Sequence, residues 1–387
     1  MMAASARRVR VGLIFAAVAA AAFAATAAPS APIPVALDLL ELPAPATAHG
    51  ERKLLLDVTR AGARLVAVGE FGLILWSDDQ GHRWRQARVP TSAMLTTVTF
   101  ADAAHGWAAG HDGVVLASAD GGKTWVRQFD GRQANAQMLE AARVQLEAVR
   151  DRKGTDGASR RVRDQAQDRL ADAEAAIDAG PSRPLLGLHF IDTARGYAVG
   201  SFGQLFQTAD GGAHWTYIGD RLPNGEGLHL NAISQSAQGA LYIAAEAGTV
   251  FRSIDAGRNW TRSSVDYAGH LFGVLPLAAQ TVLAYGFGGH LFRSIDGGST
   301  WQPLASPASK SIVQGVELAD GGIVLVAEDG QMMQSRDGGR RFDALPLRSP
   351  LKKTSGLALA NAGPGVIAVG LGGVAGLDLV VAGGELP

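Results

Sequence analysis

One eight-residue phrase recurs six times in this chain: SDDQGHRW from Ser77, SADGGKTW from Ser118, TADGGAHW from Thr208, SIDAGRNW from Ser253, SIDGGSTW from Ser294 and SRDGGRRF from Ser335. Successive starts lie 41, 90, 45, 41 and 41 residues apart, so one long gap marks an insertion. A period near forty residues is that of an array of small β-sheets. Each position of the phrase has a mechanical role. The Asp accepts hydrogen bonds from backbone N–H groups just ahead of it, and Gly tolerates positive φ, which together suit a tight turn. The Ser or Thr hydroxyl adds a local bond, and the Trp opens the next strand and buries a large apolar area. Five of the seven Trp residues (Trp84, Trp125, Trp215, Trp260 and Trp301) fill this slot, with Phe342 in the sixth. The carboxylates Asp79, Asp120, Asp210, Asp255, Asp296 and Asp337 are therefore expected to be structural, not catalytic.

The phrase resembles the Asp-box, or bacterial neuraminidase, repeat. The stretch upstream repeats as well: FADAAHGWAAGHDGVVLASAD from Phe100 and FIDTARGYAVGSFGQLFQTAD from Phe190. This longer pattern is similar to the photosystem II stability and assembly factor family, a group with members in non-photosynthetic bacteria. The resemblance covers roughly Leu54 to Val380, apart from the insertion, and implies a seven-bladed β-propeller that assists assembly of a membrane protein complex.

The length of 387 residues suits one seven-bladed domain over residues 29–387. The 49 glycines, against a usual ~7%, fall between short Val/Ala/Leu runs, as many tight hairpins require. A net charge of −1 offers no footprint for nucleic acid. Arg7, Arg8 and Arg10, the apolar run Val11 to Ala25 and the small residues before Pro29 read as an export signal over residues 1–28, giving a periplasmic location. A retained membrane anchor is the alternative, disfavoured because the run falls short of the ~20 residues that span a bilayer. The absence of Cys leaves no disulfide.

Aligning the repeats gives an all-β plan of four strands per blade, in the second case Leu95 to Phe100, Gly106 to Gly110, Val114 to Ser118 and a strand from Trp125. A seventh unit, Gly365 to Val380, follows the last phrase but lacks a box. Its missing outer strand is expected to come from Pro32 to Leu42, closing the ring and covering an open edge. The insertion, residues 131–180, has a three- and four-residue apolar period at Met138, Ala142, Leu146 and Val149, then at Val162, Ala166, Leu170, Ala173 and Ile177. That period predicts an α-helical hairpin, a solvated arm or a docking arm for a partner.

Connectivity places the hairpin on the face opposite the repeated phrases, together with the turns between second and third strands. Those turns carry Glu70, His111, Asp112, Ser201, Glu246, Phe287, Glu328 and Asp329, an acidic mouth suited to a basic peptide or a cation. Arg252 and Arg293, each just before a box Ser in consecutive blades, form a candidate anion patch. No catalytic constellation emerges. The nine His residues lack metal-ligand spacing, so no metal or cofactor is expected. Sialidases resemble the chain in the boxes alone: the Arg-Ile-Pro start expected before the first box appears as RVP, Arg88 to Pro90, after it. The expected function is a non-catalytic exported scaffold binding a membrane protein complex. The alternative is a glycan-binding or sialidase-like propeller, which an aromatic platform on the channel face would favour. Phe287 is the one aromatic residue among the turn tips named.

Overall fold

The computed structural model describes residues 37–150, 156–346, 354–359 and 365–378. Among the described residues, 27 strands form seven antiparallel sheets, six of four strands and a last one of three. The first sheet begins with Leu55–Ala61 and the second with Leu95–Phe100; sheets 3 to 7 begin with Leu185–Phe190, Leu230–Gln235, Leu271–Pro276, Ile312–Glu317 and Thr354–Leu359. These first strands touch in sequence order, and the first strand of sheet 7 touches that of sheet 1. The second strand of each of sheets 2 to 6 is buried along its whole length. Apolar residues on both sides of such a strand face two neighbouring sheets, which is why these segments read as unbroken Val, Ala, Leu and Gly runs.

Seven hydrophobic clusters fill the seven gaps between consecutive sheets. The closing one joins Leu55, Val58 and Leu65 of sheet 1 to Ile367 and Val369 of sheet 7. The ring thus closes by side-chain packing between its last and first sheets.

That finding bears on the expected N-terminal strand. Asp38–Leu42 is a turn that pairs with no strand of sheet 7. It crosses sheets 1 and 2 instead, and Leu40, fully buried, packs with Val66, Val98 and Trp125. The Leu39 carbonyl accepts from Ser92 N and Thr91 Oγ1, both at 2.9 Å. Arg132 pairs with Asp38 and Glu41, and Arg127 donates to Glu41 at 2.8 Å. Burying Leu40 in an existing core outweighs adding a short edge strand, so Asp38–Leu42 is a correction to the sequence plan. Residues 32–36 and the signal segment 1–28 lie outside the described residues.

The insertion folds as expected into α1 (Gly131–Arg150) and α2 (Gly157–Ala179), the second capped by Asp156, which accepts from Ser159 N. Its buried stripe is narrower than the sequence period suggests. Ala134, Ala142, Val149, Ala166, Ala173 and Ala176 are buried, whereas Val162 and Ile177 are exposed. Alanine lets the two helices approach closely, with Val149 as the one larger apolar residue in the buried stripe, while Val162 and Ile177 turn outward.

Each first strand carries a register shift directly after its opening residue, for example between Leu55 and Asp57, Leu95 and Thr97, and Ile312 and Gln314. The same shift recurs in the other four sheets. Such a bulge bends the strand and re-aims its side chains. Asp57, Thr97, Gly187, Ala232, Gly273, Gln314 and Gly356 follow directly after the residue that the pairing skips. Six of them line a central channel of about 510 Å³.

Candidate interaction face and channel

Antiparallel order puts the repeated turns on one face and the turns between second and third strands on the other. In every repeated turn the Ser or Thr hydroxyl donates to the Asp Oδ1 and receives the N–H of a residue four further on. At Ser77 these bonds are 2.8 Å to Asp79 and 2.9 Å from Gly81, and at Ser294 they are 2.7 Å to Asp296 and from Gly298. The same pair of bonds forms at Asp120, Asp210, Asp255 and Asp337. The backbone N–H of His214, with its ring, holds the Asp210 carboxyl at about 2, and the N–H and side-chain amide of Asn259 do the same for Asp255. Thr300 supplies the hydroxyl and N–H that hold Asp296 at about 2. The indole N–H groups of Trp84, Trp125 and Trp260 donate to the glycine carbonyl three residues back. Trp301 reaches Ser263 Oγ of the preceding sheet instead, at 3.1 Å, and the Trp215 indole N–H is buried without a partner among the described residues.

On the opposite face, Glu70, His111, Ser201 and Phe287 each open a short helical turn, and Glu246 and Glu328 begin the corresponding turns of sheets 4 and 6. Asp112 and Asp329 occupy the second position; burial pushes the Asp112 carboxyl up. Phe287 has aromatic company. Phe71 and Phe202 sit at φ of 51° and 55° and are 60% and 46% exposed, with Phe287 and Leu371 both at 56%. Positive φ is costly for a bulky residue, yet here it turns two rings outward. The sequence reading did not single them out because propensity argues against a bulky residue at a positive-φ turn position. Glu246 accepts the His229 N–H at 2.8 Å and lies 3.2 Å from the His270 ring.

Arg252 and Arg293 lie in consecutive sheets, each just before the Ser of its repeated turn. Arg252 reaches toward Gly297 in the next sheet, and no contact joins the two arginines among the described residues. Each has a buried Nε without a hydrogen-bond partner among the described residues.

The channel holds a group the sequence did not single out. Asp57 Oδ1 accepts Val58 N at 2.8 Å and Oδ2 accepts Val98 N at 2.9 Å, tying sheet 1 to sheet 2. Burial pushes its carboxyl up to about 6 despite those bonds. Between pH 4 and 6 the folded chain therefore keeps a proton that the unfolded chain has lost, so this group's contribution to stability falls as pH rises. Over that range the stability of the native chain relative to Asp57→Ala should drop by about 3 kcal/mol at most, read by urea unfolding at pH 4 and pH 7. A gap that widens with pH would reverse the assignment.

Among the described residues, no helix is long and apolar enough to cross a membrane. Nor does any group of three or more His, Asp or Glu residues suit a metal ion.

A ring of antiparallel sheets around a channel defines a β-propeller. Solved propellers superpose on most of the chain: one described as YCF48 bound to D1 peptide has a TM-score of 0.57, 14% identity, and covers 85% of this chain and 94% of its own. A streptogramin B lyase structure has a TM-score of 0.61 at 13% identity, over 85% of this chain and 94% of its own. At such identities these likenesses speak to fold alone. The family model described as photosynthesis system II assembly factor YCF48 matches residues 61–150 and 175–273. Photosystem II assembly lipoprotein Ycf48 of Synechococcus sp. (strain CC9902) is 37% identical over 91 residues, 24% of this chain and 27% of that relative. The matching stretch thus spans about a quarter of that protein's length. Over those residues the chain is similar to the photosystem II assembly factor-like family.

Proposed function

We propose that the seven sheets are the blades of a non-catalytic, exported propeller whose Asp-box turns hold the ring, and that the chain is a scaffold for assembly of a membrane protein complex. Because the resembled family has members in non-photosynthetic bacteria, the client in such an organism would be an envelope complex. The observation that carries the reading is that the hairpin-face turns of sheets 1, 3, 5 and 7 each present an exposed apolar side chain, Phe71, Phe202, Phe287 and Leu371. Exposed large apolar groups at equivalent turns around a ring offer contact points for a partner. A relative described as bound to a D1 peptide supports a peptide segment of the client as the contact. The acidic tips Glu70, Glu246, Glu328 and Asp329 favour a basic segment at the channel mouth.

The test is retention of proteins from gently solubilised envelope membranes by the tagged chain from Pro29, beside a copy in which residues 132–178 are replaced by a short Gly/Ser loop. One integral-membrane partner, weakened without the hairpin, is the expected result. A second reading has gained an observation: three exposed Phe rings supply more of an aromatic platform than one, as a glycan-binding surface would need. Retention of cell-wall glycan with no protein would move the assignment there.

A further inference from the structure

The hairpin does more than project from the ring. Met138, Ala141 and Ala142 of α1 and Ala173 of α2 face Phe202 of sheet 3 and Tyr217 at its outer edge across a cleft of about 360 Å³. The cleft is bordered by two half-buried arginines. Arg169 donates to Gln145 Oε1 at 2.9 Å and to the Asn224 carbonyl at 2.6 Å. Arg183 lies 4.3 Å over the Phe202 ring and donates to the Asp172 carbonyl at 2.8 Å. All of these acceptors are neutral, and neither guanidinium is ion-paired within 4 Å among the described residues.

The acidic groups around the cleft are already engaged or are solvated. Arg262 holds both oxygens of Glu226 at 2.9 and 3.0 Å, and Glu246 serves His229 and His270. Asp172 and Asp220 are exposed, where water and salt screen them. Tyr217, whose phenol burial pushes up to about 12, lines the same space and has no hydrogen-bond partner for its hydroxyl among the described residues. Two partly desolvated guanidiniums with neutral partners, next to a hydroxyl and an apolar wall, favour an anion that is planar and peptide-borne. A carboxylate can accept the paired N–H groups of an arginine as a fork.

We propose that this cleft binds an extended peptide through a carboxylate set beside an apolar side chain, the carboxylate meeting Arg183 and Arg169 and the side chain lying against Phe202 and Met138. This rests on the scaffold reading above and assigns part of the contact to the inserted hairpin. The carboxylate can be a chain terminus or an Asp or Glu side chain.

The probe is a pool of fluorescein-labelled hexapeptides randomised at the last three positions, prepared as free acids and as C-terminal amides and read by anisotropy with the full chain. Carboxylate-bearing peptides with Leu, Ile or Phe beside the acid are expected to bind. Equal binding of amides that carry Asp or Glu identifies the side-chain source, and loss on amidation identifies the terminus. Arg183→Gln should weaken binding about tenfold or more, the worth of a charge-assisted bond. Arg183→Lys, which keeps the charge and loses the fork and the stack, should fall between, and Arg83→Gln, an exposed arginine in a repeated turn on the opposite face, should bind as the native chain does. Melting curves of each variant separate loss of binding from loss of fold. No binding by any carboxylate-bearing pool, or an unchanged affinity in Arg183→Gln, overturns the proposal. If the membrane partner is still retained in those cases, the scaffold reading stands without the cleft. Peptide binding with no partner retained leaves the cleft and removes the scaffold.

Discussion

Trp125→Ala is expected to cost about 3–5 kcal/mol of stability, the range for removing a large buried aromatic side chain. Trp125 is 4% exposed and belongs to the cluster that joins sheets 1 and 2, together with Val66, Leu116 and the N-terminal Leu40. Its ring meets Phe100 edge-on at 6.0 Å, and its N–H bonds to the Gly122 carbonyl at 3.0 Å. The loss therefore falls on two sheets and on the strap that crosses them. Trp301→Ala should cost distinctly less, because Trp301 is only partly buried and its N–H bonds to an adaptable Ser263 hydroxyl. Urea unfolding of both variants provides the comparison. Equal losses would mean that the tryptophans act through the turn they share, and not through the sheet gap each one fills.

Gly110→Ala is the second large effect expected. A Cβ at Gly110 would lie 2.0 Å from the Met94 carbonyl oxygen and 2.7 Å from Leu95 Cα, both backbone atoms. That carbonyl also accepts the His111 N–H at 2.8 Å, so the connector and this bond must shift together to admit a Cβ. Overpacking costs typically ~1–3 kcal/mol where side chains can yield, and here the obstacle is main chain, so the upper end or more is expected. Gly69, Gly200 and Gly286 meet the same carbonyl in their own sheets at 2.1, 2.4 and 2.1 Å, whereas sheets 4 and 6 carry Ala245 and Ala327 at this position. Gly157→Ala is the control, since nothing lies within 4 Å of its Cβ position. A melting temperature for Gly110→Ala equal to that of the native chain would show that the connector moves freely.

The repeat made most of the strand plan readable, because a phrase in register fixes where each strand must start and stop. Leu95–Phe100 and Gly106–Gly110 fall where the alignment places them, and the hairpin follows from the helical spacing of its apolar residues. Three features were not readable for physical reasons. Leu40 looks like any residue of an alternating strand, and its burial depends on a gap between two sheets that local pattern does not describe. The recurring bulge is a matter of pairing, which a single strand's sequence does not state, so Asp57 passed as an ordinary polar position. Phe71 and Phe202 occupy turn positions where propensity argues against a bulky residue, and only the backbone shows them facing outward.

The hairpin's two ends meet. A Cβ on Gly131 would lie 2.8 Å from Pro181, and Asn135 Nδ2 donates to the carbonyls of Ala176 and Gly180 at 2.8 and 3.1 Å, sealing the base of the insertion with its own bonds. The chain thus leaves the ring and returns to it at nearly one point, as a cassette plugged into a socket. Such a cassette can be lengthened, shortened or exchanged without re-threading a single strand. Choice of partner and durability of the ring then become separate traits, open to change one at a time.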